Sequence, residues 1–245
     1  MFLSKILNTL YPVGYCCLNC SKEIFDDETL LCDNCKKILP YITGKRCLHC
    51  CEPITGSGNY CLHCKGKKFY CDKIISPFVY DSIAKKFVIE LKYDNRKYIS
   101  QCLAKYMYYS FIKENLPYDL VTCVPLCNKR FKERGYNQSE LLGNYFAQNL
   151  NCPFYANLLE RVKETPTQTK LTFAERQKNM SGAFKVKDKQ LIKDKIVIIV
   201  DDVYTTGATI KECALVLKKA GAKAVYAVTA CHTIFKNEQL ETKKL

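Results

Sequence analysis

The chain has 245 residues, of which 48% are apolar and 25% are charged, and it carries a formal net charge of +14. This composition excludes a disordered or collagen-like chain and is sufficient for a full hydrophobic core. No apolar run approaches the ~18 residues that span a bilayer, and the N-terminus lacks the apolar segment and cleavage site of a secretory signal. We therefore expect a cytoplasmic protein without a membrane span, in which cysteines bind metal in preference to forming disulfides.

The N-terminal part of the chain is rich in cysteine. Apolar residues at helical spacing over residues 2–10 predict a short helix that packs on the rest of the protein. Eleven of the 17 cysteines lie within the first 71 residues, and eight of these form four C-x-x-C pairs separated by 11, 11 and 10 residues: Cys17/Cys20, Cys32/Cys35, Cys47/Cys50 and Cys61/Cys64. Because a C-x-x-C turn directs two thiolates at one ion, the eight cysteines predict two structural Zn²⁺ sites with four ligands each.

The spacing leaves the pairing of these turns open. Nearly equal gaps fit two consecutive ribbons, the arrangement that we favour, or an interleaved arrangement. In both cases the zinc shells are closed, so the ions are expected to be structural and not catalytic. Residues 1–73 are interpreted as a double zinc-ribbon unit in which five further residues are bystanders: Cys16, His49, Cys51, His63 and Cys71. With 10 Lys and Arg against 7 Asp and Glu, this unit shows no evident basic face for nucleic acid.

The second predicted unit, residues 74–245, alternates apolar runs with helical patterns. Residues 74–80 and 120–124 are predicted strands, and two helices with apolar stripes lie between them. Asp81 is placed to cap the first of these helices, and Ser139 a later one that runs to about Leu150. The stripes of the first two helices are Ile83, Phe87, Val88 and Leu91, then Leu103, Met107 and Phe111.

The best-defined element of this unit is residues 196–200, an unbroken apolar run typical of a parallel strand buried on both faces. Thr209 and Glu212 then form an apparent capping box for a helix that Gly221 ends. Residues 224–229 are the next predicted strand. The whole pattern predicts an α/β fold with a mostly parallel sheet flanked by helices.

Two carboxylates and a loop rich in threonine follow residues 196–200. The order is Asp201-Asp202-Val203-Tyr204-Thr205-Thr206-Gly207-Ala208-Thr209. Adjacent carboxylates need hydroxyls, cations or a metal as partners, and a threonine- and glycine-rich segment at a helix N-terminus is suited to an anion. Because ligands of open α/β sheets bind beyond the carboxyl ends of the strands, this combination predicts a sugar-phosphate site.

Basic residues elsewhere are placed to complete such a site. Arg130 and Arg134 follow the strand at 120–124, and their guanidinium groups are suited to phosphate oxygens. Residues 160–195 contain ten Lys and Arg against five Asp and Glu, and Thr172 and Glu175 are placed to cap a short helix within them.

Several of these strings resemble known proteins. Residues 200–209 resemble the phosphoribosyl-pyrophosphate (PRPP) loop of type I phosphoribosyltransferases. Taken with the cysteine pairs and Leu91-Lys92-Tyr93, the strings R-G-Y-N-Q-S-E-L-L at 134–142 and A-E-R-Q-K-N-M-S-G-A-F at 174–184 are similar to the ComF family. Proteins of that family are associated with competence and join an N-terminal zinc ribbon to a type I phosphoribosyltransferase domain. The resemblance spans nearly the whole chain.

The resemblance implies roles for particular residues. Asp201 and Asp202 would hold the ribose hydroxyls, the loop from Thr205 to Thr209 would hold the 5′-phosphate, and Mg²⁺ would accompany PRPP. Diphosphate neutralisation falls to Mg²⁺, Arg130, Arg134 and Lys92. The implied catalytic residues are Asp201, Asp202, Arg130 and Arg134, and the implied PRPP-binding residues are Lys92, Pro125, Leu126, Asp201, Asp202, Val203, Thr205, Thr206, Gly207, Ala208 and Thr209.

The resemblance also bears on residues 160–195, because type I phosphoribosyltransferases carry a mobile lid in this region. It implies that the segment forms a wall of the site and that Lys163, Lys170 or Arg176 closes over the ligand. Each of the three is equally explained as part of a solvated basic surface.

Three functions follow from the resemblance. The chain is a transferase of phosphoribose to an acceptor that the sequence does not name, a PRPP sensor without turnover, or a competence factor that binds single-stranded DNA. Thr205 stands where purine-salvage members carry a carboxylate, which disfavours a hypoxanthine or guanine acceptor. Residues 74–245 hold 28 Lys and Arg against 17 Asp and Glu, so single-stranded DNA is an expected partner, together with competence or helicase proteins.

Overall fold

A computed structural model describes residues 16–25, 27–163 and 180–234. The predicted helix at residues 2–10 lies outside these ranges, as do the capped helix at 172–175 and two lid candidates, Lys170 and Arg176. The described helices are α1 Asp33–Lys37, α2 Ser82–Tyr93, α3 Ile99–Ile112, α4 Asn128–Arg134, α5 Gln138–Leu150 and α6 Ala208–Lys219. The described strands are β1 Lys73–Ile75, β2 Phe78–Val79, β3 Leu120–Cys123, β4 Leu159–Arg161, β5 Phe184–Val186, β6 Ile196–Tyr204 and β7 Ala224–His232.

Five of these strands form a parallel sheet. Its order is β1-β7-β6-β3, and the short β2 also pairs with β7. Every pairing in it is parallel, whereas β4 and β5 form a separate antiparallel pair. The predicted α/β fold with a mostly parallel sheet is confirmed.

Alternate residues of β6 enter two different parts of the core. Ile198 and Val200 pack with α2, α3 and α5, whereas Val197 and Ile199 pack with α6 on the opposite face. All four side chains are fully buried. An uninterrupted apolar run is therefore needed at this strand, because neither face of the sheet meets water.

The two ribbons pack on opposite faces of the sheet. Cys17, Leu31 and Cys35 share a core with α2 and α3, whereas Cys47 and Cys61 share the core of the other face with α6. The first ribbon thus adjoins helices α2 and α3 on one face of the sheet, and the second ribbon adjoins helix α6 on the other face. Because both ribbons contribute to the core of the sheet, the packing marks no boundary at residue 73. The proposed division of the chain after that residue stays a prediction.

Several predicted boundaries are wrong. The expected strand at 74–80 is broken into β1 and β2 because Pro77 lacks the N–H that a continuous ladder needs. Strand β6 continues through Tyr204, so the two carboxylates lie within the strand and not after it.

Among the helices of the described ranges, none is long and apolar enough to cross a membrane.

Two predicted helix caps also differ. Asp81 caps α2 as expected, with its carboxylate accepting from Ser82 N at 2.7 Å. Helix α5 is capped by the Asn137 side chain, which accepts from Ser139 N at 3.1 Å, so Ser139 is not the cap. The capping box expected at α6 does not form, because the Glu212 carboxylate instead accepts from Gly182 N at 2.6 Å.

Candidate functional site

The acid pair lies near the carboxyl end of β6, where it is held by three polar side chains. The Asp202 carboxylate accepts from Lys92 Nζ at 2.8 Å and from Gln138 Nε2 at 2.7 Å. Asp201 Oδ1 accepts from the Ser139 hydroxyl at 2.7 Å and from Asp202 N at 2.9 Å. Lys92 comes from the last turn of α2 and the other two donors from the first turn of α5. Two helices and one strand thus converge on the two carboxylates.

The two carboxylates differ in their hydrogen-bond partners and in their environment. Asp202 is 6% exposed and both of its oxygens have partners. Burial, together with the negative charge of Asp202, raises the pKa of Asp201 to about 7. Within the described residues no donor reaches Asp201 Oδ2, so this oxygen is available to a ligand.

Lys92 carries the charge that balances Asp202. Burial acts to lower the pKa of this ammonium, but the adjacent Asp202 carboxylate raises it above its usual value. Lys92 therefore stays protonated at neutral pH and forms an ion pair with Asp202, with side chains that are 19% and 8% exposed.

A cavity of about 400 Å³ opens above the acid pair. Four basic side chains line it, against the two carboxylates: Lys92, Arg130, Arg134 and Arg161. Burial lowers the pKa of Arg161 below its usual value, yet an arginine remains cationic in proteins. Because the four cations outnumber the two carboxylates, the cavity has an excess of positive charge that suits an anionic ligand.

Arg134 is held in place by two neighbours. Its Nη1 donates to Gln138 Oε1 at 2.8 Å, and its guanidinium lies 5.0 Å from the centre of the Tyr93 ring. Because Gln138 also donates to Asp202, its amide links the arginine of α4 to the acid pair of β6.

The loop after β6 has the geometry of an anion site. Gly207 has φ of +74° and immediately precedes α6, and no side chain among the described residues caps the helix. A Cβ at Gly207 would collide with the hydroxyl and ring of Tyr204, so this position requires glycine for space as well as for its backbone angle. The first N–H groups of the 12-residue helix α6 therefore lie next to the threonines of the loop.

The structure brings most of the predicted site residues together. One cavity is lined by Lys92, Pro125, Leu126, Arg130, Arg134, Asp201, Asp202, Val203, Thr205 and Thr209. Thr206 and Gly207 line a different, smaller cavity beside the second ribbon, and Ala208 is buried at the start of α6. Lys163 does not line the cavity above the acid pair, and its Nζ donates to the Ser181 carbonyl at 3.0 Å.

Four residues of the site were not among the predicted site residues, although one of them, Arg161, lies in the segment 160–195 that was predicted to form a wall of the site. Gln138 and Ser139 bind the acid pair directly, and Tyr80 and Arg161 line the cavity. A signal for the first two was present, because Asn137-Gln138-Ser139 follows β3 at the same sheet edge as Asp201. The position of Arg161 depends on the β4–β5 pair, which the sequence pattern did not predict.

The eight C-x-x-C cysteines form two clusters. Cys17, Cys20, Cys32 and Cys35 are one group and Cys47, Cys50, Cys61 and Cys64 are the other, with the sulfurs of each group within 4.8 Å of one another. Four thiol ligands at this spacing fit a tetrahedral zinc ion, and the pairing is consecutive, as favoured. Of the five predicted bystanders, none joins either described cluster, and His49 instead stacks on Phe69 with ring centres 3.4 Å apart.

The comparisons with known proteins agree with this architecture. Residues 138–244 match the phosphoribosyl transferase domain family. The DNA utilization protein YhgH of Salmonella typhi is 31% identical over 193 residues, which is 77% of this chain and 84% of that protein. Competence protein F of Haemophilus influenzae is 28% identical over 218 residues, 85% of this chain and 93% of that protein. The chain belongs to the ComF family. Competence protein ComFC of Streptococcus pneumoniae is similar as well, at 29% identity over 215 residues, 82% of this chain and 86% of that protein.

The matched domain covers only part of the site in this ComF protein. It contains Gln138, Ser139, the acid pair and the loop to Thr209, whereas Lys92, Arg130 and Arg134 lie before residue 138. The cationic side of the cavity is therefore contributed largely by α2 and α4, outside the matched segment.

Proposed function

We propose that this protein binds PRPP together with Mg²⁺ at the acid pair and transfers its phosphoribosyl group to an acceptor. The observation that carries the proposal is that a single cavity is lined by Asp201 and Asp202, by Thr205 and Thr209 on either side of the start of α6, and by four basic side chains. A sugar with a phosphate at one end and a diphosphate at the other matches these three features. The matched phosphoribosyl transferase domain supports the same ligand.

Each part of the cavity has a distinct task in this proposal. Asp201 Oδ2 accepts from a ribose hydroxyl, while Ser139 and Gln138 hold the carboxylates in position. Backbone N–H groups at the start of α6 and the hydroxyls of Thr205 and Thr209 bind the 5′-phosphate. Arg130 and Arg134 face the diphosphate, and the acid pair offers the oxygen ligands that Mg²⁺ prefers.

The chemistry of transfer explains why cations dominate the cavity. The bond between C1 and the diphosphate oxygen breaks, and its electron pair leaves with the diphosphate. The acceptor's lone pair forms the new bond to C1, and the acceptor releases a proton. Because negative charge grows on the leaving group, fixed cations near it stabilise the transition state more than the ground state. Bound Mg²⁺ would add to this neutralisation.

Calorimetry tests PRPP binding directly. The protein, titrated with PRPP in the presence of Mg²⁺, should release or absorb heat with one-to-one stoichiometry. The double change Asp201→Asn and Asp202→Asn should abolish the signal, whereas Glu160→Gln, a surface carboxylate 3.2 Å from Lys185, should leave it unchanged. Absence of heat with the unaltered protein would refute the proposal.

Diphosphate release separates an enzyme from a sensor. Steady release with an acceptor drawn from nucleobases, amines or DNA ends would support transfer. Binding without release across all of them would support the sensor, in which PRPP acts as a ligand signal.

The net charge of residues 1–73 indicated no basic face, but the structure exposes a local basic surface on the second ribbon. This surface favours a second candidate function, single-stranded DNA binding. Lys65, Lys67 and Lys68 are exposed beside the exposed aromatic rings of Phe69 and Tyr70. Basic groups interleaved with aromatic rings bind the phosphates and stack on the bases of a single strand. The names of the relatives, which refer to competence and to DNA utilization, support a role in DNA uptake. In that role the protein acts in the cytoplasm with other competence or helicase proteins.

Anisotropy of a labelled oligothymidylate tests this second function. Affinity should fall steeply with salt, and Lys67→Gln with Lys68→Gln should weaken binding and reduce the salt slope by about one to two. The matched control is Lys187→Gln with Lys189→Gln, which removes two exposed lysines that lie outside the second ribbon. Equal effects of the two double variants, or binding that salt does not change, would refute a site on this ribbon.

A further inference from the structure

Tyr204 connects the second cysteine cluster to the phosphate loop. It is the last residue of β6 and is 9% exposed. Its ring packs directly beneath the Gly207 backbone, where no Cβ could fit. The same ring lines a cavity of about 100 Å³ together with Cys50 and Cys64, two members of the second cluster. The loop that precedes α6 and two zinc-ligating cysteines thus surround a single side chain.

His232 provides a second connection between the same two regions. It pairs in register with Tyr204, the two rings have centres 4.9 Å apart, and Thr233 N donates to the Tyr204 carbonyl at 2.8 Å. The buried His232 Nδ1 lies 3.3 Å from Glu52 Oε2. Glu52 belongs to the second ribbon, because its carbonyl accepts from Cys47 N at 2.8 Å.

The first cluster has no equivalent connection among the described residues. Its buried cysteines, Cys17 and Cys35, pack with α2 and α3 on the opposite face of the sheet. None of its four cysteines lines the cavity beside Thr206 and Gly207. The two zinc sites are alike in ligands but differ in their position relative to the phosphate loop.

We infer that Tyr204 and His232 are positioning residues through which zinc at the second cluster holds the phosphate loop in its binding conformation. This inference rests on the proposed function, since PRPP is the ligand that the loop would bind. Loss of the second zinc ion releases the Cys47 and Cys61 turns, removes the packing behind Tyr204 and loosens the Gly207 turn. Loss of the first zinc ion leaves this loop in place.

Thermodynamic reciprocity allows the inference to be tested on the unaltered protein. If zinc at the second cluster increases PRPP affinity, PRPP must increase zinc affinity at that cluster by the same factor. A chelator selective for zinc over magnesium and a thiol-alkylating reagent are added in the presence of Mg²⁺, with and without PRPP, and mass spectrometry follows the alkylation of each cysteine. PRPP should slow alkylation of Cys47, Cys50, Cys61 and Cys64 about 5- to 100-fold, with little effect on Cys17, Cys20, Cys32 and Cys35.

Each result of this experiment has a separate meaning. Equal protection of both clusters, or protection of neither while calorimetry detects PRPP binding, overturns the coupling and leaves the proposed function intact. If PRPP does not bind, the proposed function fails, and the coupling is then decided by hydrogen exchange. Amides of residues 205–210 should exchange faster once the second cluster has lost its zinc, and unchanged exchange would overturn the inference.

Two variants of Tyr204 separate positioning from a general loss of stability. Tyr204→Phe retains the ring beneath Gly207 and should keep PRPP affinity within about twofold. Tyr204→Leu removes the ring and should weaken affinity about 5- to 100-fold, while zinc at the first cluster remains. If the leucine variant melts at a lower temperature but binds PRPP as tightly as the unaltered protein, Tyr204 contributes to stability alone.

Discussion

Replacing Asp201 with asparagine should stabilise the ligand-free protein. Burial and the neighbouring Asp202 raise the pKa of Asp201 from 3.8 to about 7, so the folded state binds a proton that the unfolded state has lost. Folding stability therefore falls as pH rises from about 4 through about 7, and the loss is complete above that range. An asparagine at this position removes the cost of ionisation and still accepts hydrogen bonds through Oδ1 from Ser139 and Asp202 N.

The size of this effect follows from the shift in pKa. A carboxyl group with this difference between its folded and unfolded pKa destabilises the fold by about 2–4 kcal/mol at pH 8, the lower figure allowing for solvent screening at a half-buried side chain. For a domain of this size the melting temperature should rise by roughly 5–15 °C at pH 8. At pH 5 the gain should be less than half as large, because the folded carboxyl is then mostly protonated.

Thermal melts of the ligand-free protein at pH 5 and pH 8 measure the difference. Glu160→Gln is the control, because Glu160 forms an exposed ion pair with Lys185 and such pairs contribute about 0–1 kcal/mol. A melting temperature that is unchanged or lower for Asp201→Asn at pH 8, or a gain that is equal at both pH values, would refute the assigned environment of Asp201. Stabilisation of the empty protein by removal of a ligand-binding carboxylate is expected where a site keeps a buried charge for its ligand at a cost in stability.

Three further changes test other parts of the site. Gly207→Ala should lower both the melting temperature and PRPP affinity, because an alanine there combines a positive φ with a collision against Tyr204. The control is Gly56→Ala, at a glycine with φ of +85° and open space around it. This change should lower the free energy of unfolding by only about 1 kcal/mol, as measured by thermal melts. Lys92→Met should destabilise the protein by about 3–5 kcal/mol in denaturant titrations at pH 7, since it leaves the buried Asp202 without its cation, and a loss no greater than that of Lys185→Met would contradict this. Elemental analysis should find two zinc ions per chain, and a value of one would mean that four of the eight cysteines have been wrongly assigned.

The sheet was predictable because its strands carry simple patterns. An unbroken apolar run such as residues 196–200 has few alternatives to a parallel strand buried on both faces. The C-x-x-C spacing likewise predicted two closed clusters, and proximity along the chain favoured the consecutive pairing that the structure has. In both cases the information is local in sequence.

The predictions failed where distant residues decide the outcome. Glu212 satisfied the pattern of a capping box, but its carboxylate binds Gly182 N, 30 residues earlier in the chain. Ser139 satisfied the pattern of a cap, but its hydroxyl donates to Asp201 on another element. The position of Tyr204 beside Cys50 and Cys64 was equally unpredictable, since it depends on the packing of the second ribbon against the end of β6. Such competition between local patterns and tertiary partners is concentrated at the site, where polar groups from several elements meet.

The most direct test of the account is a crystal structure of the protein with PRPP and Mg²⁺ bound. We predict ribose hydroxyls within hydrogen-bonding distance of Asp201 and Asp202, the 5′-phosphate in the loop from Thr205 to Thr209, and the diphosphate facing Arg130 and Arg134. A PRPP molecule bound elsewhere, or bound with its diphosphate in the threonine loop, would contradict the account.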